Sequence, residues 1–310
     1  MQISTSYLFD RATTQMNKLT SDLAKSQTQI ASAKQVLNPS DAPDKAAAIS
    51  RLKSVIGRQD NYVKTLDSVQ NRLNLENTTL NSVSDALLRV KEITIQVNAP
   101  TLSQSDRQAL GGELRALRDQ LLSLANTKDV GGNYTFAGSR VRQPAFANDG
   151  SYLGDQTRMQ VAVGDQRDVA INRSGSMVFT PVVRTDANGL RTGVGFFQVL
   201  DDLIVAVKSS DSTGKPNATA DMQRGIAEAD SMLQGVLLAQ GEVGTDMKVV
   251  EQQGNVLMDI TLSLKTVLSN IEDLDYAAAA TQMQKQMLAL QAAQATFAKI
   301  SQNSLFNYIK

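Results

Sequence analysis

Apolar residues recur in alternating steps of three and four along most of this chain. At the front the stripe is Phe9, Ala12, Met16, Leu19, Leu23, Ser26, Ile30, Ala33 and Leu37. That spacing predicts a helix over 9–37 with a coiled-coil seam of about four heptads, in which Ser26 and the alanines are weak positions. Asn38-Pro39 ends it, because a residue before proline is pushed out of the helical region. Ser40 or Asp41 then supplies an N-cap, and Pro43 is tolerated in the first turn of the next helix. There the stripe runs Ile49, Leu52, Ile56, Gln59, Val63 and Leu66, slips by one three-residue step, and resumes from Val69 through Leu73, Glu76, Leu80, Val83, Leu87, Val90 and Thr94 to Val97. Positions 44–98 would make a rod of about 80 Å, overwound at the slip. Pro100 ends it. Ser103 with Asp106 reads as a capping box opening a helix that carries Leu110, Leu114, Leu117, Leu121 and Leu124 and stops at Gly131-Gly132.

The pattern then changes. Residues 131–197 hold ten of the 19 glycines and seven aromatic residues, so this stretch reads as an insert of different structure. Met159, Val161 and Val163 alternate with Arg158, Gln160 and Ala162, Gly164-Asp165 suits a turn, and Val169 and Ile171 alternate again: antiparallel hairpins. A short helix over 195–209 has Phe197, Leu200, Ile204 and Val207 on one face. Helical spacing returns from Ile226 through Val236, Val243, Met247, Val250, Gly254, Leu257, Thr261, Leu264 and Leu268 to Ile271. Glu272-Asp273-Leu274-Asp275 interrupts it, and a last helix puts Met283, Met287, Leu290, Ala293, Phe297, Ile300 and Ser304 on one side.

The pattern therefore predicts a mainly α fold with a small β-rich insert. The helices would form an elongated antiparallel coiled-coil rod, with the N- and C-terminal helices paired at one end and the β domain at the other. Three parts are expected: 1–40 with 275–310 as a terminal coiled coil, 41–130 with 218–274 as a long helical bundle, and 131–217 as a surface insert with a short helix. The terminal helices have one narrow stripe each, and a helix gains most of its stability from packing. Residues 1–37 and 276–310 are thus expected to be partly disordered in the monomer and to order on assembly.

Composition narrows the chemistry. The chain has 310 residues, 31 basic and 31 acidic side chains, and no Cys, His or Trp. No thiol nucleophile, Ser-His-Asp triad, disulfide or Cys/His zinc site is available, and zero net charge does not suit a nucleic-acid clamp. No apolar run has the ~18 residues a membrane helix needs, and the opening Met1–Asp10 does not read as a cleavable leader. No cofactor, metal, nucleic acid or membrane is expected. Glu272, Asp273 and Asp275 read as capping acids at a helix start rather than a catalytic cluster, and Asp201-Asp202 as a solvated helix face.

Certain segments resemble a known family. Gln29-Ile30-Ala31-Ser32-Ala33-Lys34-Gln35-Val36-Leu37-Asn38-Pro39-Ser40-Asp41-Ala42-Pro43 is similar to the turn near the start of bacterial flagellins and their junction proteins. Ile271–Ala277 resembles that family's hinge into the last helix, and Leu290-Gln291-Ala292-Ala293, Ile300–Leu305 and Tyr308-Ile309 continue the likeness. Gly132-Asn133-Tyr134-Thr135-Phe136-Ala137-Gly138-Ser139, followed by Pro144-Ala145-Phe146, is similar to a segment typical of the junction proteins. Two positions depart from the pattern: Ala33 stands for a usual glycine and Ala42 for a common aspartate, changes read as favouring helix or leaving the turn intact.

The resemblance implies a structural component of the flagellum, exported by its type III apparatus and lying outside the cell at the junction of hook and filament. Its implied partners are hook-associated protein 1 on the hook side, flagellin on the filament side, further copies of itself in a ring, and an export chaperone. The alternative within the family is flagellin itself. The seam residues are the candidate subunit interface: Leu19, Leu23, Ile30 and Leu37 at the front, and Met283, Met287, Leu290, Phe297, Ile300 and Leu305 at the back. Met283 and Met287 are seam residues whose adaptable side chains suit packing against unlike neighbours.

Overall fold

The computed structural model describes residues 5–98, 102–185, 190–209 and 218–306. Among these the elements are α1 (Thr5–Ser32), α2 (Pro43–Val97), α3 (Gln104–Ala125), β1 (Gln160–Gly164), β2 (Arg167–Ala170), α4 (Gly175–Val178), β3 (Val182–Thr185), β4 (Arg191–Val194), α5 (Phe196–Ser209), α6 (Ala218–Glu272) and α7 (Tyr276–Phe306). The fold is mostly helical with two small two-stranded sheets. No described helix is long and apolar enough to cross a membrane. The chain divides into two compact units, residues 1–60 with 258–310, and residues 61–257.

The 61–257 unit has a continuous apolar core. Its stretches of α2 and α6 run antiparallel: Lys91 pairs with Asp230 at 2.6 Å, and Gln240 donates to Asn81 at 3.0 Å. Each expected α2 seam position from Val63 to Val97 is buried or half-buried, and Leu73, Leu80 and Leu87 are wholly so. Ala86 and Ile93, off the seam, are buried too, so α2 is covered on more than one flank here. Helix α3 opens with the capping box expected of Ser103 and Asp106. It ends at Asn126, not at Gly131-Gly132. The Asn126 side chain exchanges two hydrogen bonds of 2.9 Å with the backbone of Phe146, tying the helix end to the insert. The amides of Gly131 and Asn133 instead donate to Asp129 Oδ1 in a separate turn. Helix α3 packs on α5 through Gly111, where a Cβ would meet Lys208 Cγ at 3.1 Å.

The insert adds a cluster of rings to this core. Phe146 meets Tyr152, Phe179 and Phe197 at centroid distances of 5.1, 5.2 and 5.3 Å, a spacing that favours edge-on contact. Strands β1 and β2 pair in the expected antiparallel sense, Val161 opposite Val169, with a bulge between Ala162 and Gly164. Strands β3 and β4 form a second hairpin, Val182 opposite Val194. The 132–139 segment is a structural anchor: Phe136 is wholly buried, and Tyr152 Oη donates toward the Phe136 and Asp155 carbonyls. Gly138 has φ +70°, and a Cβ there would lie 2.3 Å from the Asp155 carbonyl oxygen, so only glycine fits.

Four arginines tie separate elements together in this unit. Arg72 reaches Asp129 at 3.1 Å, and Arg118 reaches Asp201 at 3.0 Å. Arg173 reaches Glu76, Glu242 and Asp246. Arg184 reaches Glu228 and Asp202, both at 2.6 Å. Asp201 and Asp202 are thus ion-pair anchors rather than a merely solvated face; spacing along one helix does not reveal an arginine distant in sequence.

Candidate assembly surface of the terminal helices

The unit of residues 1–60 with 258–310 is built around α1 and α7. They pack antiparallel: Phe9 meets Phe297 edge-on at 5.4 Å and Ser26 Oγ donates to Gln286 Oε1 at 2.8 Å, and beyond their ends the backbones of Lys34 and Asp273 pair in an antiparallel β-bridge. The expected α1 stripe holds, since Phe9, Ala12, Met16, Leu19, Leu23 and Ile30 are half-buried and Ser26 is buried. On α7 the covered positions among the described side chains are Ala279, Met283, Gln286, Leu290, Ala293, Phe297 and Ser301. Almost every member of this seam keeps part of its surface in solvent, as expected when a helix has one neighbour instead of several.

Three expectations change. Leu37 is not on the α1 seam, because α1 ends at Ser32 and Leu37 lies half-buried in the connection to α2. Ala33 is where the helix breaks: its φ of +59° is left-handed, the conformation for which glycine is preferred at a helix end. Alanine here does not favour helix; it adopts the glycine conformation at a steric cost. Met287 is off the seam and 39% exposed, its expected place being taken by Gln286, one residue earlier on the helical wheel. The side chains of Ile300 and Leu305 lie outside the described residues, as does Tyr308-Ile309.

The chain turns at two adjoining places that are stitched together. Gln35 N donates to the Glu272 carbonyl at 2.8 Å, and Leu274 N to the Ala33 carbonyl at 3.0 Å. Glu272, buried at the end of α6, takes Lys34 Nζ and Lys53 Nζ on one oxygen, each at 2.8 Å. The Lys34 hydrogen bond, then that of Lys53, holds the Glu272 carboxyl below its ordinary range; the same contact raises the Lys34 ammonium. Asp41 accepts from Lys25 at 2.8 Å and from Asn38 N at 3.2 Å, and these bonds lower its carboxyl too. Of the three acids expected as caps, Asp275 acts as one, accepting from Ala277 N and Ala278 N at 3.0 and 3.1 Å. Asp273 bonds Ser269, and Glu272 is the ion-pair hub. A cleft of about 340 Å³ beside this joint is floored by Val36, Leu37, Pro39 and Ile49 and rimmed by Lys34 and Lys53.

Apolar residues on α6 are also exposed outside the seam, on both of its flanks. Within this unit Met258, Ile260, Leu262 and Val267 of α6 are 62, 42, 67 and 43% exposed, all off the Leu257–Thr261–Leu264–Leu268 seam. A helix apolar on several faces is normally covered on several faces. The signal was present in the sequence as hydrophobic residues between seam positions. Among the described residues no group of three or more Asp or Glu is placed to hold a metal ion.

Two helical regions flank an insert with two small hairpins, and the terminal helices α1 and α7 pair. Residues 3–141 match the bacterial flagellin N-terminal helical region and residues 226–309 the C-terminal helical region. The chain belongs to the bacterial flagellin family. Within it, the chain is 27% identical over 317 residues to flagellar hook-associated protein 3 of Escherichia coli (strain K12), covering 100% of both. Polar flagellin C of Vibrio parahaemolyticus is 22% identical over 286 residues, covering 84% of this chain and 70% of that protein. In fold, the crystal structure of flagellar hook-associated protein 3 from Legionella pneumophila matches with a TM-score of 0.63 at 20% identity, covering 72% of this chain and 99% of that one. Each of these relatives is named as a flagellar protein and none as an enzyme.

Proposed function

We propose that this chain is a structural protein joining the bacterial flagellar hook to the filament. Copies would associate in a ring on hook-associated protein 1, and that ring would template the growth of flagellin beyond it. The chain would act outside the cell after export by the flagellar apparatus, with a chaperone covering its apolar termini beforehand, and it would perform no catalysis. In this reading the terminal helices of 1–40 and 275–310 form the inner, assembling layer. The helices of 41–130 and 218–274 form the wall, and residues 131–217 form the outer surface. One observation carries the reading: the terminal unit leaves its α1–α7 seam half-buried and the apolar Met258, Ile260, Leu262 and Val267 uncovered, as a part completed only by neighbours would. The end-to-end likeness to hook-associated protein 3 supports the junction over the filament.

The test is a strain lacking this chain. It should secrete filament protein into the medium instead of assembling it, and the intact chain should restore filaments. Filaments that form normally without it would refute the proposal. Long filaments grown by the purified chain alone would favour a flagellin instead.

A further inference from the structure

Glu76 occupies a seam position of α2 where the pattern calls for an apolar side chain, and it is wholly buried. Its Oε1 accepts from Arg173 Nη1 at 3.2 Å, while its Oε2 has no hydrogen-bond donor among the described residues. Arg173, itself buried, is shared: Nε faces Glu242 of α6 at 3.4 Å and Nη2 faces Asp246 of α6 at 2.5 Å. One guanidinium therefore serves three carboxylates. The other nearby cation, Arg72 one turn earlier on α2, gives its Nη1 to Asp129 at 3.1 Å and donates no hydrogen bond to Glu76. A buried, half-satisfied carboxylate in an anion-rich cluster is costly unless neutralised. Burial raises the Glu76 carboxyl above the ordinary range; Arg173 and then Arg72 oppose that rise, and Asp246 adds to it.

The loop at stake matters to the whole insert. Asn172, next to Arg173, accepts from Met159 N at 2.6 Å and donates to the Thr157 carbonyl at 3.0 Å. Ser174 on the other side hydrogen-bonds Tyr152 Oη at 2.9 Å. Whatever loosens Arg173 loosens the seat of the insert on α2 and α6.

We propose that Glu76 is a proton-operated latch for the insert. With a proton bound, the neutral carboxyl still accepts from Arg173 through Oε1, and the 172–174 loop is held on α2 and α6. When the proton leaves, a buried anion whose Oε2 has no hydrogen-bond donor must share Arg173 with Glu242 and Asp246, and burying that charge costs the folded state more than the tighter Arg173 contact returns. Because the folded chain holds this proton more tightly than the unfolded chain, the stabilisation is fully present below the ordinary glutamate range. It is lost as pH rises through the folded value.

Two measurements on the full chain test this. Carbon NMR of the Glu76 carboxyl should give a titration midpoint above the usual value of about 4.3; a midpoint at or below it overturns the proposal. Thermal unfolding from pH 5 to 8 should then be compared between wild type and Glu76→Gln, which imitates the neutral form. The wild-type midpoint should fall relative to the variant's as pH rises from the ordinary glutamate value to the folded one, by at most about 3 °C per pH unit. Parallel profiles would count against the latch, and if the variant does not fold, the NMR midpoint decides alone.

Discussion

Leu23 of α1 and Leu80 of α2 sit on seams of the same three-four pattern, and only Leu80 leaves solvent entirely. Around Leu80, α2 is covered on more than one flank within a core that takes in α3, α5, α6 and the ring cluster of the insert. Leu23 lies in a unit whose central pair is α1 and α7, and its seam admits a polar Ser26–Gln286 contact. A heptad stripe states which face is apolar; how dry that face becomes depends on how many neighbours cover it. The finished unit, 61–257, has the character of a closed core, and the terminal unit that of a part awaiting others.

The sharpest break of this comparison is a charge on the terminal seam. Phe297→Asp should abolish hook–filament joining in cells while leaving the main thermal transition of the 61–257 unit in place; joining that survives in the secreted variant would place the interface elsewhere. Next come truncations. Leu80→Ala should cost about 3 kcal/mol in denaturant unfolding, as for a fully buried leucine, and Leu23→Ala about 1 kcal/mol or less, because Leu23 has less surface to lose. Equal costs would erase the distinction between the units.

Two glutamates make the contrast in pH. Glu272 in the terminal unit has its carboxyl lowered by Lys34 and Lys53, so its stabilisation is present above the ordinary glutamate range and lost as pH falls through the lowered value. Glu76 in the other unit has the opposite sign. Acidification should therefore loosen amide protection at Lys34–Leu37 while that of residues 172–174 holds or rises, once intrinsic exchange rates are removed; a common direction at both sites would contradict the opposed signs. The smallest effect is at the joint: Ala33→Gly should stabilise the terminal unit by about 0.5–1 kcal/mol, since glycine accepts a φ of +59° without a Cβ clash. A loss of stability would mean that the αL conformation is not what alanine resists there.

Much of this was legible in the residues. Steps of three and four located the two long helices, Ser103 with Asp106 marked the start of α3, and alternation at Val161 and Val169 marked the first hairpin. The end of α1 was not legible from periodicity, because Ala33 and Leu37 continue the spacing while the backbone at Ala33 has already turned. Met287 reads as a seam residue by its hydrophobicity, although Gln286 has the better angular position. The arginine anchors were invisible for a different reason: Arg173 and Glu76 lie 97 positions apart, and no local pattern joins them.

By itself, then, the sequence determined which faces are apolar, where most helices start, and that the chemistry of cysteine and histidine is absent. Those follow from local sterics and from side-chain identity, which act over a turn or two of chain. Only the tertiary structure decided which seams close and which stay open, because burial depends on how many elements converge on a face. It also decided that Glu272 would be satisfied by two lysines while Glu76 shares one arginine with two other acids. Such charges are set by neighbours far away in sequence, and folding alone brings those neighbours within reach.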